Sequence, residues 1–124
     1  MPYALHHLAV RVADLARAEA FYAGVLGMRV LRRHDDDRGR PRAVWVELGA
    51  GAFLAIELAP EATRAAEGGP SWHCVAFGLS RGDRDAMRAR LEAAGHPIER
   101  ETDFTIYARD PDENLVAFSH YPDR

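Results

Sequence analysis

Two short apolar runs each carry a histidine near their start: His7 in HLAVRV and His73 in HCVAFG, while Glu57 lies inside a third run, FLAIEL. Alternate residues of a β-strand share a face. As strands, these runs put His7, Ala9 and Arg11 on one side and Leu8, Val10 and Val12 on the other, and His73, Val75 and Phe77 opposite Cys74, Ala76 and Gly78. Glu57 falls with Phe53 and Ala55, away from Leu54, Ile56 and Leu58. A carboxylate on an enclosed face needs a counter-charge, because desolvating a lone charge is costly. Two neutral imidazoles supply none, whereas a divalent cation held by His7, Glu57 and His73 supplies it and suits all three donor types. The place of Glu57 in the last run, LVAFSHY, is taken by Ala117, which binds nothing. Two blander readings stand beside this one. The histidines can be satisfied core residues, and Arg11 can be either a structural partner of Glu57 or an anchor for an anionic ligand, since a guanidinium fits carboxylate or phosphate bidentately.

The elements that carry these residues repeat. Residues 5–12 alternate as a strand, and Asp14 is placed to cap a helix through about Leu26, ended by Gly27. MRVLRR, RAVWVELG and AFLAIELA follow as strands, separated by the polar turn DDDRGRP and by GAG. The order restarts after a Pro- and Gly-bearing linker, residues 60–71. WHCVAFGLS reads as a strand and DRDAMRARLEAAG as a helix with Asp83 as its cap; strands follow at Pro97–Arg100, FTIYAR and, after the turn DPDEN, LVAFSHY. The chain is therefore a duplicated βαβββ unit, residues 1–59 and 72–124, of α+β class, and His7 and His73 occupy the same place in the two copies.

Composition sets the bounds. A chain of 124 residues, 48% apolar and 28% charged, suits one small globular domain. A formal charge of −3, with bases and acids interleaved in RRHDDDRGRPR, gives no basic face for nucleic acid. No apolar run reaches the ~18 residues of a membrane span, and MPYALHH lacks the core of a signal peptide, so a cytoplasmic protein is expected. The single cysteine, Cys74, forms no intrachain disulfide and reads as inert packing. His34, in the polar loop, and His96 and His120 show no pattern that points to chemistry.

Taken together, HHLAVRVADLARAEAFYAGVLGM, AIEL, WHCVAF and RDPDENLVAF resemble the vicinal oxygen chelate superfamily, the glyoxalase, bleomycin-resistance and extradiol-dioxygenase group, over nearly the whole chain. The resemblance implies paired βαβββ modules forming a half-open mixed barrel, a divalent metal (Zn, Fe, Mn or Ni) on its concave face, a small-molecule substrate and a homodimer. It places the metal ligands at His7, Glu57 and His73, leaves Ala117 at the usual fourth position, and leaves Glu57 as the carboxylate that also moves protons. Tyr107 corresponds to a substrate-contacting tyrosine, and Glu113 stands where the turn usually has glycine. The implied function is a metal-dependent lyase, isomerase or dioxygenase whose ion acts as a Lewis acid. The alternative is a metal-free protein that sequesters a flat compound in a groove lined by Trp45, Phe53, Trp72 and Phe77.

Overall fold

A computed structural model describes residues 2–59 and 70–123. The first half runs β1 (His7–Val12), α1 (Leu15–Glu19), a π-helical segment (Ala20–Val25), β2 (Val30–Asp35), β3 (Pro41–Gly49) and β4 (Ala52–Leu58). The second runs β5 (Val75–Gly78), α2 (Arg81–Ala93), β6 (Arg100–Glu101), β7 (Thr105–Arg109) and β8 (Leu115–Ser119). Each half is a compact unit with its own four-stranded sheet, ordered β1-β4-β3-β2 in one and β5-β8-β7-β6 in the other. The α+β duplication expected from the sequence is thus the fold. Most of the expected linker, residues 60–69, lies outside the described residues.

In both units the first strand pairs parallel with the last, while the remaining pairs are antiparallel. A parallel neighbour needs a crossover, and the helix between the first and second strands provides it. In the first unit Asp14 caps α1 as expected, its carboxylate accepting from the Arg17 N–H at 3.1 Å. The helix does not stay regular to Leu26: after Glu19 it widens to π geometry, and the Leu26 N–H bonds the Phe21 carbonyl, five residues back. Gly27, at φ 76°, then ends it in a conformation that costs glycine nothing.

In the second unit Ser80, not Asp83, is the cap of α2: its hydroxyl accepts from the Asp83 N–H at 3.1 Å, and Asp83 falls in the helix's first turn. Its acidic side chain there complements the helix dipole without capping it. Arg84, Met87 and Leu91, three and four residues apart, form the buried stripe of α2. The expected strand Pro97–Arg100 shrinks to Arg100–Glu101, since a proline has no N–H to give to a ladder.

Ion pairs identify which sheet face the helix covers. Arg33 on β2 holds Glu19 of α1 bidentately at 3.1 and 2.8 Å, and Arg33 shares a face with Val44 and Ile56, both buried. Arg88 of α2 holds Glu101 at 2.6 Å, and Glu101 shares a face with Ile106 and Phe118, also buried. The opposite face of each sheet is the open one.

Candidate functional site

The register of the first sheet lays out its open face as rows that cross the strands. One row is His7, Phe53 and Glu47; the next is Ala9, Ala55, Trp45 and Arg32; the third is Arg11, Glu57, Ala43 and His34. His7 and Glu57 therefore share the open face, as strand alternation predicts. They are not neighbours on it. His7 stands across from Phe53 and Glu57 across from Arg11, four residues further along, which at ~3.3 Å per residue is about 13 Å along the strands.

His7 has closer company. Its ring stacks on Phe53, with centroids 5.0 Å apart and 9° between planes, and its Nδ1 lies 2.8 Å from Nδ1 of His6. That contact requires one of the two Nδ1 atoms to carry the proton; when it is that of His7, the Nε2 of His7 keeps its lone pair for a ligand. Glu57 is half-buried and makes no hydrogen bond or ion pair among the described residues. Glu47, in the His7 row, is different: Arg29 donates to it at 3.0 Å and holds its carboxyl below the usual range, chiefly through that hydrogen bond.

Trp45 and Phe53, both expected to line a ligand groove, stack on each other at 4.2 Å and 23°. His34 covers Trp45 at 4.4 Å, so a ladder His34, Trp45, Phe53, His7 crosses all four strands, with Arg32 reaching the Trp45 ring at 6.0 Å. His34 and Arg32 were not singled out from sequence. The signal was their alternate spacing in VLRRHD, which continues the strand into what reads as a polar loop.

The second unit corrects one assignment. Val75 and Phe77 pair with Val116 and Phe118, and Phe77 packs on Phe118 with centroids 5.6 Å apart. Phe77 therefore lies on the helix-covered face and does not line the open one. The register with β8 decides this face, while His73 and Cys74 precede β5, so strand alternation does not fix the side of His73. His73 is exposed, as is Trp72 at 94%. The open face here holds Ala76, Gly78, Ala117 and Tyr107. Tyr107 stands across from Ala117, with the Arg100 guanidinium 4.2 Å from its ring centroid. Beside them the DPDEN turn is built on buried Asp110, whose carboxylate accepts from the Asp112 and Asn114 N–H groups and from Asn114 Nδ2 at 2.8–2.9 Å. Glu113 takes φ 68° in it, the left-handed conformation that glycine adopts without strain.

Residues 4–118 match the family model of the Glyoxalase/Bleomycin resistance protein/Dioxygenase superfamily. The chain belongs to that superfamily. Among solved structures it is similar to a lactoylglutathione lyase from Agrobacterium tumefaciens, at 25% identity and TM-score 0.69, over 95% of this chain and 93% of that one. It is also similar to a glyoxalase/dioxygenase from Nostoc punctiforme, at 18% identity and TM-score 0.80, over 93% and 88% of the two chains. A variant of the fosfomycin resistance protein FosX from Listeria monocytogenes, solved with Mn(II) and 1S,2S-dihydroxypropylphosphonic acid, matches at 20% identity and TM-score 0.76, over 97% and 94%. No curated protein sequence matches the chain.

For a superfamily member the donor chemistry fits a divalent metal: imidazole and carboxylate groups share the open face of the first unit, and Glu57 is a half-buried carboxylate without a described partner. Within each unit, among the described residues, no three His, Cys, Asp or Glu side chains are gathered tightly enough to hold an ion by themselves. No helix of the described residues is long and apolar enough to cross a membrane.

Proposed function

We propose that this superfamily member is a small divalent-metal-dependent enzyme of the lyase or isomerase kind, acting on a small oxygen-bearing substrate, with His7, Glu57 and His73 as candidate ligands, of which His7 and Glu57 must close their offset of four residues along the strands to share one ion. The observation that carries the reading is Glu57: a half-buried carboxylate, unpartnered among the described residues, on the face that also bears His7. Arg11 stands across the strand pair without forming an ion pair with it, so a further cation can meet the carboxylate. The likeness to a lactoylglutathione lyase supports the reaction class.

A bound ion supplies Lewis-acid polarisation of the substrate's oxygens. The chain's own residues supply the rest. Glu57 is the one carboxylate placed to accept and return a proton at the reacting centre, because the corresponding position of the other module is Ala117. Arg11, directly across from Glu57, offers its fork of N–H donors to an anionic part of the substrate. Tyr107, with Arg100 on its ring, presents a hydroxyl above the small floor of Ala117.

The rival reading, sequestration of a flat compound without metal, draws less support. Both faces of Phe53 are taken by Trp45 and His7, and Trp45 has Phe53 stacked on one face and His34 tilted against it at 53°, which leaves little platform for stacking. Elemental analysis of purified protein, followed by calorimetric titration of wild type and Glu57→Gln with Zn(II), Mn(II), Ni(II) and Fe(II), tests the proposal. Stoichiometric binding lost in the variant is expected; no metal in either protein favours sequestration.

We further propose a homodimer, supported by apolar side chains left in water at Tyr3, Leu5 and Trp72. Sedimentation of a 13.8 kDa species at micromolar concentration counts against it.

A further inference from the structure

We propose that His6 positions His7 for the ion, accepting the His7 Nδ1–H at its own Nδ1 so that Nε2 of His7 is the bare, ligating nitrogen; this rests on the metal-dependent reading above. Neighbouring residues of a regular strand face opposite ways, so their rings do not meet. β1 begins at His7, however, and His6 stands just outside it, where alternation does not hold. There Nδ1 of His6 reaches Nδ1 of His7 at 2.8 Å, with the ring centroids 5.1 Å apart and the planes at 75°. Phe53 holds His6 in that place twice. Its backbone N–H donates to the His6 carbonyl at 3.3 Å, and its ring meets the His6 ring edge-on at 5.6 Å and 69°. The same Phe53 stacks flat on His7, so one residue of β4 orients both histidines.

The 2.8 Å separation decides what the two nitrogens share. Two nitrogens bound tetrahedrally to one zinc at about 2.0–2.1 Å lie about 3.4 Å from each other, whereas a hydrogen bond brings them to about 2.9 Å. The nitrogens therefore share a proton and not an ion, which makes His6 a positioning residue and not a ligand through that atom. Since Nδ1 of His7 is engaged, its ligating atom is Nε2, and an Nε2 that binds a metal carries no proton. Neutral imidazole has a single ring N–H, so that of His7 lies on Nδ1 and donates to His6. Which nitrogen of a histidine is metallated is set by the bond the other makes, and ligating imidazoles are generally anchored in this way by an outer partner. Of the two arrangements the contact allows, metal binding selects this one, and loss of the acceptor on His6 weakens the metal bond in turn.

The test compares wild type with His6→Phe, which keeps a ring against Phe53 and His7 and removes the nitrogens, and with His6→Asn, whose side-chain oxygen takes the place of Nδ1 as acceptor. Zn(II) affinity is read by calorimetry and folding by circular dichroism. His6→Phe is expected to bind Zn(II) roughly tenfold more weakly, with a wild-type spectrum, and His6→Asn to stay close to wild type. Long-range 1H–15N spectra, recorded through the ring C–H protons, read the tautomers directly and do not depend on the variants. In Zn(II)-loaded wild type, His7 should show a protonated Nδ1 and a metal-bound Nε2, and His6 the reverse proton placement, on Nε2, with no bound metal. Zn(II) held through Nδ1 of His7 or through His6, unmoved His7 resonances, wild-type affinity in a folded His6→Phe, or equal losses in the two variants overturns this inference. Where Glu57→Gln still abolishes binding, the metal-dependent reading stands without it. Absence of Zn(II) binding in the wild type overturns both.

Discussion

Arg11 on β1 stands directly across the parallel strand pair from Glu57 on β4. No ion pair joins the two side chains, but the relation puts a cation beside the carboxylate, where an anionic substrate would meet both. Arg11→Ala should therefore weaken binding of an anionic ligand far more than it weakens the fold. The expected loss of stability is about 0.2–1 kcal/mol by denaturant titration, and Zn(II) affinity should stay within a few-fold of wild type. A large loss of metal affinity would instead make Arg11 part of the site's scaffold.

Ala117 faces the open side of the second sheet beside Tyr107 and is fully buried. In a metal enzyme, Ala117→Glu offers the ion a further carboxylate and should tighten metal binding while lowering activity by displacing water or substrate. In a metal-free protein the same change buries an unpaired charge and should destabilise by about 1–3 kcal/mol or more. Calorimetry and melting on one preparation separate the two.

Glu113 occupies a left-handed position, φ 68°, in the turn anchored by Asp110. Glu113→Gly relieves the clash of Cβ with its own backbone, which costs a non-glycine residue about 1–2 kcal/mol. Glycine's greater freedom in the unfolded chain offsets part of this, so a net gain of about 0.5–1 kcal/mol is expected. No gain in chemical denaturation would mean that the glutamate's own interactions offset the strain.

Ser80 caps α2 through a 3.1 Å hydrogen bond. Ser80→Ala should cost about 1 kcal/mol, and Asp83→Ala less, because the structure makes Ser80 the cap. The reverse order in thermal melts would restore Asp83 to that role.

Two surface carboxyls, Glu47 and Glu101, are held below the ordinary range, chiefly by hydrogen bonds from Arg29 and Arg88. A carboxyl with a depressed folded pKa stabilises the fold above its unfolded pKa, near 4.5, and loses that contribution as pH falls through the lower folded value. Stability should thus decline below about pH 4.5. A Glu47→Gln, Glu101→Gln double variant should show a shallower acid limb. Because both groups are exposed, the difference should be small and should shrink further in high salt.

The local readings in the sequence came through where a short-range rule governs. Asp14 caps α1, Gly27 ends the helical stretch, and His7, Arg11 and Glu57 share a face, because caps, stop signals and alternation depend only on near neighbours in the chain. The duplication was legible for the same reason, as two copies of one local pattern. What the sequence by itself could not determine depends on where strands begin and how they slide against each other. Alternation joined His73 to Phe77, yet β5 starts at Val75 and Phe77 turns toward Phe118 under the helix. His34 read as loop, yet pairing with Ala43 extends β2 to include it and sets it in the row of Glu57. Register is fixed by hydrogen bonds between residues distant in sequence, and a shift of one residue exchanges the two faces of a strand. The residue types and the faces of β1 and β4 were therefore written in the chain, while the tertiary pairing alone decided that Glu57 has Arg11 on one side and, across Ala43, His34 on the other.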